Sequence, residues 1–444
     1  MVFLYFLFFE YDALMSEYFS IKGSGVKRTL DGTIEVVGAK NAALKAIAAS
    51  VLYETPLHLS NMPHIEDVSG MLDIICAMGG KTTFTDHKVT IDSSGLSTTS
   101  IPSALAMKLR ASVVLTGPML ARFGRVQFPF PGGDMIGKRP IDLFIEGFEK
   151  MGAKVHHTKD GHYDIVAPDG GLRGAEIFFR VASVTGTETL MMAAVLARGT
   201  TIIKNAALEP EIVWLADMLV ASGAKITGAG TTTIIIKGAG LLAQKNKTFR
   251  VIPDRIEAGS FLVLGALAAK KLTLTGVVPE HVESLIAALE YAGVSLTTTK
   301  DTITVSAPKT TKSFRSFNLR THEYPGFPSD LQSPMMIFLT QTEGESLVFE
   351  TIFEGRLNYT ESLNRMGANI TIMDQHRVLV KGPTKLRGKH LESPDIRAGL
   401  AFVIAAQIAE GVSHIHSIYH IDRGYENLES RLRAIGVAIE RMTE

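Results

Sequence analysis

Between Pro131 and Asp142 the chain reads Pro-Gly-Gly-Asp-Met-Ile-Gly-Lys-Arg-Pro-Ile-Asp, which puts an acid, Asp134, and a guanidinium, Arg139, into one short loop. Gly132, Gly133 and Gly137 permit backbone conformations closed to other residues, and Pro131 and Pro140 punctuate the segment. Such a loop suits a mobile element that carries a proton-transfer group and an anion-binding fork to a substrate. A solvated surface turn accounts for the same residues if the loop is taken alone. The other chemistry-bearing residues share a different pattern. Lys40 and Asn41, Arg110, Ser183 and Thr187, Asp254 and Arg255, Ser329 and Asp330, and Asp395 and Arg397 each stand at or just before the start of an apolar helical run. Helix starts offer free N–H groups and a positive dipole end, so several aimed at one cleft make an anion site. Plain capping accounts for Ser183, Ser329 and Asp395. It does not account for lysine and arginine at helix starts, where they oppose the dipole. Cations placed against that preference imply a strongly anionic ligand.

The elements that must position these residues repeat along the chain. Six runs are apolar almost all round, from Asn41 to Leu52, Ala111 to Ala121, Thr189 to Ala197, Glu257 to Ala269, Leu331 to Thr342 and Ala398 to Ala409. Helices of that kind are buried. Each repeat also carries an apolar helix end followed by glycine, at Gly79, Gly152, Gly223, Gly293, Gly367 and Gly436, about 70 residues apart. Glycine there suits a left-handed C-cap, and the residues that follow alternate as a hairpin does. The expected fold class is therefore α/β, built of six repeated modules with helices inside. A period this long argues against a thin solenoid and for closed domains of three modules each.

Length and composition agree with small-molecule chemistry. At 444 residues two domains of about 200 residues are the natural expectation. Charges balance at 45 against 45 with no basic run, so neither nucleic acid nor an anionic membrane is an implied partner. The single cysteine, Cys76, rules out an internal disulfide and sits in an apolar helical run where burial is expected. The apolar nose from Met1 to Phe9 is short, lacks a basic start and runs into Glu10 and Asp12, so no signal peptide is read there and Met15 is a candidate start. No apolar stretch approaches the roughly 18 residues that span a bilayer, and a soluble, cytoplasmic protein is expected. His414, His416 and His420 match no zinc signature, there is no Walker loop, and no Gly-x-Ser-x-Gly elbow occurs, so no metal and no cofactor are expected.

Seven segments, in order, resemble the enolpyruvyl transferase family: Gly38-Ala-Lys-Asn-Ala42, Arg110-Ala-Ser112, the loop from Pro131 to Asp142, Glu209-Pro-Glu-Ile-Val213, Pro253-Asp-Arg-Ile-Glu-Ala258, Phe327-Pro-Ser-Asp-Leu-Gln332 and Asp422-Arg-Gly-Tyr-Glu426. The resemblance covers nearly all the chain after about residue 20. The loop and the Asp-Arg-Gly-Tyr-Glu segment are similar to the branch that uses a sugar nucleotide. It implies a two-domain inside-out α/β barrel arrangement with the active site between the domains. Domain one is expected at 40–252 with a lid at about 128–142, and domain two at 15–39 plus 253–444, with 1–14 an extension. The implied substrates are phosphoenolpyruvate and UDP-N-acetylglucosamine, joined by addition of the sugar's 3-hydroxyl and elimination of phosphate, the first committed step towards peptidoglycan. Lys40, Arg139, Arg397 and Arg423 match the family's cations for phosphate and carboxylate, and Asp330 its candidate base. Asp134 matches its lid proton donor, and Asp395 belongs to the same catalytic set. The sugar-nucleotide contacts carry over to Asn41, Arg110, Arg139, Pro140, Ile141, Asp142, Leu143, Ser183, Val184, Asp330 and Ile352.

Three departures bear on these expectations. Asp134 stands where most members carry the cysteine that fosfomycin alkylates, so intrinsic resistance is expected, and Asp134 needs its pKa raised by desolvation to act as an acid near neutrality. Phe144 replaces the usual histidine, and Val181 a lysine that some members place near the diphosphate, for which Arg180 is a candidate substitute. Transfer to a different acceptor stays open, as does a catalytically silent paralogue that binds a nucleotide sugar and regulates a partner.

Overall fold

The computed structural model describes residues 17–25, 27–132, 136–137, 139–158, 161–244, 248–307 and 313–443. The 1–14 extension and Asp134 lie outside them. All six expected buried helices are present. Ile256 to Ala268 and Ile396 to Ile408 are buried at every position, as apolar residues on all sides of a helix require. The runs at Arg110 and Ser329 begin as 3₁₀ turns before becoming α-helical at Thr116 and Gln332.

The module is clearest around Arg255–Ala268. That buried helix leads into strand Ala269–Thr275, then outer helix Glu283–Ala292, then Gly293, then hairpin Ser295–Thr298 and Thr302–Ser306. All six repeat glycines adopt positive φ, between 92° and 113°. The strands alternate as half-buried sheets do: in Thr233–Lys237, Ile234 and Ile236 are buried while Ile235 faces out. Among the described residues there are six sheets, one per module.

The sheets lie outside and the buried helices inside, the inside-out α/β arrangement. Helices Arg255–Ala268, Gln332–Leu339 and Ile396–Ile408 pack against one another, and Thr116–Phe123 packs against Val184–Val195. The apolar interior forms two clusters, one from Ala39 to Val251 and one joining Phe19 to Val36 with Ile256 to Ile439. The N-terminal strands belong to the second: Glu17–Lys22 lies between Val412–His416 and Ala438–Thr443, and Leu30–Glu35 runs parallel to Ala269–Thr275.

The chain crosses between the clusters at 37–39 and 251–254, and the crossings are bonded side by side. Ala39 N donates to the Ile252 carbonyl at 2.7 Å and Asp254 N to the Val37 carbonyl at 2.9 Å. Each crossing leads straight into a buried helix, at Lys40 and Arg255. Two cations at helix starts are thereby fixed at the junction.

Cys76 corrects the expectation of burial: it lies on the exposed face of helix Glu66–Ala77, with Sγ 3.1 Å from the Thr82 hydroxyl. An apolar run on an outer helix carries its cysteine on the solvent side here. No described helix is long and apolar enough to cross a membrane.

Close approach of buried helices sets a test. A Cβ on Gly117 would lie 2.2 Å from the Thr189 carbonyl oxygen, whereas one on Gly293 meets nothing within 4 Å and suffers only its φ of +97°. Gly293→Ala should cost about 1 kcal/mol. Gly117→Ala, which forces two helices apart, should cost about 2–3 kcal/mol. Urea unfolding of both variants compares them, and equal losses would contradict this packing.

Candidate active site

A cavity of about 790 Å³ lies between the two apolar clusters. From the first cluster's side it is lined by Lys40, Asn41, Lys45, Asp67, Arg110, Arg139 to Phe144, Arg180 to Thr185, Glu209 and Glu211. From the second come Arg255, Ser329, Asp330, Ile352, Arg356, Asp395, Arg397 and Arg423. Every residue expected to touch a substrate lines it except Asp134, which lies outside the described residues; of the other polar residues marked out at helix starts, Thr187 and Asp254 do not line it.

At one end, two carboxylates hold four cations. Asp67 accepts Lys40 Nζ at 2.6 Å and Arg423 Nε at 2.8 Å. Asp330 accepts Arg356 at 3.0 Å on one oxygen and Arg397 at 3.0 Å on the other. Arg397 also donates to the Tyr425 hydroxyl at 3.1 Å and lies over that ring. Asp254 ties the two crossings together, accepting from the N–H groups of Ile256 and Glu257 with one oxygen and of Lys40 with the other.

These contacts set the ionisation of the site. Burial would raise the Asp330 carboxyl, but Arg397, Arg356, Arg255 and Lys40 outweigh it and hold Asp330 well below the usual carboxylate range. Burial would likewise raise the Asp67 carboxyl, but Lys40 and Arg423 outweigh it and lower it. Burial lowers the Lys40 ammonium; Asp67 resists, while Arg397 and Arg423 add to the lowering. Burial, with Arg139 beside it, brings Arg110 down to about 10. Cations crowded this closely favour a ligand carrying several negative charges.

Towards the loop, Arg110 donates to the carbonyl oxygen of Arg139 and, at 3.4 Å, to that of Pro131. The loop reaches the other cluster through backbone: Gly355 N donates to the Ile136 carbonyl at 3.0 Å. Ser183 and Asp395 cap their helices as expected. Ser329 does not; its hydroxyl donates to the buried Glu350 at 2.9 Å, which also accepts from Thr321, Ile352 N and Phe353 N. Phe144 is buried, edge-on to Phe148. Arg180 pairs with Asp142 and Glu146 on the outer helix of the preceding module, so in this conformation it is engaged on its own side of the cavity, and Val181 is exposed.

Sequence reasoning missed Asp67, Arg356, Glu211 and the Lys45–Glu188 pair. Glu211 accepts Arg255 at 3.0 Å, and Lys45 lies 3.2 Å from Glu188. Glu209 and Glu211 sat in a quoted segment without a role, and the others lay in no segment at all.

A family model described as EPSP synthase (3-phosphoshikimate 1-carboxyvinyltransferase) matches residues 26–432, and the chain belongs to that family of enolpyruvyl transferases. Within it, the chain is 44% identical to the UDP-N-acetylglucosamine 1-carboxyvinyltransferase of Solibacter usitatus, over 93% of this chain and 97% of that one. It is equally identical to the protein of that name from Magnetococcus marinus, with the same coverage. Among solved structures, the enolpyruvyl transferase NikO of Streptomyces tendae matches 97% of this chain and all of its own, with a TM-score of 0.86 at 23% identity. EPSP synthase of Acinetobacter baumannii matches 96% of this chain and all of its own, at 0.73 and 19%. The last two speak to the fold alone.

Two tests address the site. Asp67→Asn leaves Lys40 and Arg423 buried without their carboxylate, which should cost about 3 kcal/mol. Inorganic phosphate should restore more stability to this variant than to the parent in thermal melts; equal effects would mean that Asp67 does not offset anion-binding charge. The second concerns Glu188, which burial raises to about 7 against the pull of Lys45, with Glu211 and Glu209 adding to the rise. A folded value above the unfolded one means stability is lost as pH rises, here from about 4.5 to about 7. Glu188→Gln should flatten the fall in Tm across that window, and an unchanged slope would refute the assignment.

Proposed function

We propose that this protein transfers the enolpyruvyl group of phosphoenolpyruvate to the 3-hydroxyl of UDP-N-acetylglucosamine, releasing phosphate, and so makes the first committed intermediate of peptidoglycan in the cytoplasm. The supporting observation is the end of the cavity where Lys40, Arg397 and Arg423 surround Asp67 and Asp330. The relatives' names supply the substrates; the site supplies charges that suit them.

In this reading Lys40, Arg139, Arg397 and Arg423 receive the phosphate and carboxylate, with arginine giving two parallel hydrogen bonds where it can. Asn41, Arg110, the segment from Arg139 to Leu143, Ser183, Val184 and Ile352 receive the sugar nucleotide, part of it through backbone. The hydroxyl oxygen bonds to C2 of phosphoenolpyruvate as Asp330 takes its proton, and C3 gains a proton from Asp134. Loss of a C3 proton from the tetrahedral intermediate then restores the double bond as phosphate leaves with the C2–O bonding pair. Asp395 acts by capping the helix that presents Arg397.

Asp330 poses a physical problem, because a carboxylate held by Arg397 and Arg356 is a weak base. Phosphoenolpyruvate resolves it in part. An anion that draws Arg397 to itself leaves Asp330 less stabilised as a charge and therefore more basic. Binding of phosphoenolpyruvate thus prepares the base for the acceptor's hydroxyl.

Phosphate release from phosphoenolpyruvate measures this directly. Release should require UDP-N-acetylglucosamine, and Asp330→Ala should lower it by about 10²–10⁴-fold. Release without the sugar nucleotide, or undiminished in the variant, would overturn the reading.

A further inference from the structure

Two buried carboxylates elsewhere in the molecule are saturated. Glu257 accepts two hydrogen bonds from Arg431 and one from Val37 N, and Glu350 accepts from two hydroxyls and two backbone N–H groups. Glu188 is different. It is fully buried on helix Val184–Val195, and neither of its oxygens has a hydrogen-bond partner among the described residues. Lys45 Nζ lies 3.2 Å away as an ion pair whose angles do not make a hydrogen bond.

A pair of this kind is an expensive way to fill an interior, since apolar residues of the same volume are often neutral or stabilising. Lys45 also lines the cavity. An ammonium has three donors, and Glu188, 3.2 Å away, engages at most one of them while its charge holds the ammonium in place. Position says what they would meet. Lys45 lies one helical turn after Asn41, and Glu188 one turn after Val184, so each shares a helix face with a residue assigned above to the sugar nucleotide. The cations assigned to phosphoenolpyruvate are instead grouped on Asp67 and Asp330.

We propose that Lys45 is a further substrate-binding residue, seated on Glu188 so that its ammonium donates to a hydroxyl or amide oxygen at the sugar end of the acceptor. This rests on the reading of the function given above and adds a specificity element to it. An acceptor lacking an oxygen there would leave a buried ammonium unmatched, and that is a strong basis for rejection.

The test is Lys45→Met beside the double variant Lys45→Met/Glu188→Met, which removes both buried charges and leaves neither uncompensated. Steady-state kinetics should show KM for UDP-N-acetylglucosamine raised about tenfold or more in both, with KM for phosphoenolpyruvate changed by less than about twofold. A folded double variant, by its melting curve, with an unchanged acceptor KM would overturn the proposal and leave the pair a packing feature. Equal rises in both KM values would overturn it too, because the effect would be on the cavity as a whole. If the parent protein turns nothing over, calorimetry with UDP-N-acetylglucosamine separates the questions. Binding by the parent that weakens about tenfold in the double variant keeps the Lys45 contact while the transfer reaction falls. Binding of equal strength in both overturns the contact, and no binding by the parent sinks the acceptor assignment and this inference together.

Discussion

Positive charge at the start of a buried helix has to be neutralised by a carboxylate from elsewhere, and the cleft of this protein is organised by that requirement. Lys40, Arg255 and Arg397 each open a buried helix, where dipole and desolvation both count against them. The compensating acids come from other elements. Asp67 reaches Lys40 from helix Glu66–Ala77, Glu211 reaches Arg255 from helix Pro210–Ala221, and Asp330 reaches Arg397 from the turn Ser329–Leu331. Asp254 then locks the Lys40 start to the Arg255 start through backbone N–H groups. The same pairs that permit burial bring the two apolar clusters into register, because Asp67 with Arg423 and Glu211 with Arg255 run from one cluster's side to the other's.

This arrangement has a chemical consequence. Cations neutralised by carboxylates are exchangeable: an incoming phosphate or carboxylate competes for an arginine already desolvated and oriented, and the cost of ordering it has been met in folding. The displaced acid becomes more basic in the same step. Stability of the empty site and reactivity of the filled one are therefore two states of one ion-pair network, and a network saturated by hydrogen bonds, like that of Glu257, could not serve both.

The pattern of the fold was legible because it rests on local rules. A glycine after an apolar helix end reports a left-handed cap wherever it occurs, and all six took that conformation. Runs apolar on every side report buried helices, and they were. The cavity-facing residues at helix starts were legible for the same reason, since lysine and arginine contradict a local preference there. Their partners were not. Asp67 and Arg423 lie 356 positions apart, and nothing near Asp67 marks it out from an ordinary acid in a helix's first turn. Ser329 was misread for a related reason: serine before a helix looks like a cap, but the buried Glu350 offers its hydroxyl a charged acceptor, which is the stronger bond. Cys76 was misjudged because a short apolar run does not say which face of its helix meets solvent.

The loop that spans the cleft obeys a different constraint from the cations beneath it. Its link to the opposite side is a backbone hydrogen bond, Gly355 N to the Ile136 carbonyl, and what permits it is the absence of side chains. A Cβ on Gly355 would lie 2.8 Å from the Ile136 carbonyl carbon, and one on Gly137 would lie 2.6 Å from a Glu354 carboxylate oxygen while its φ is +127°. Glycine is needed on both sides of this contact, so docking at Ile136 and Gly137 is a matter of shape. Backbone complementarity seats Ile136 and Gly137 against Gly355, while buried ion pairs hold the cavity beside them ready for anions.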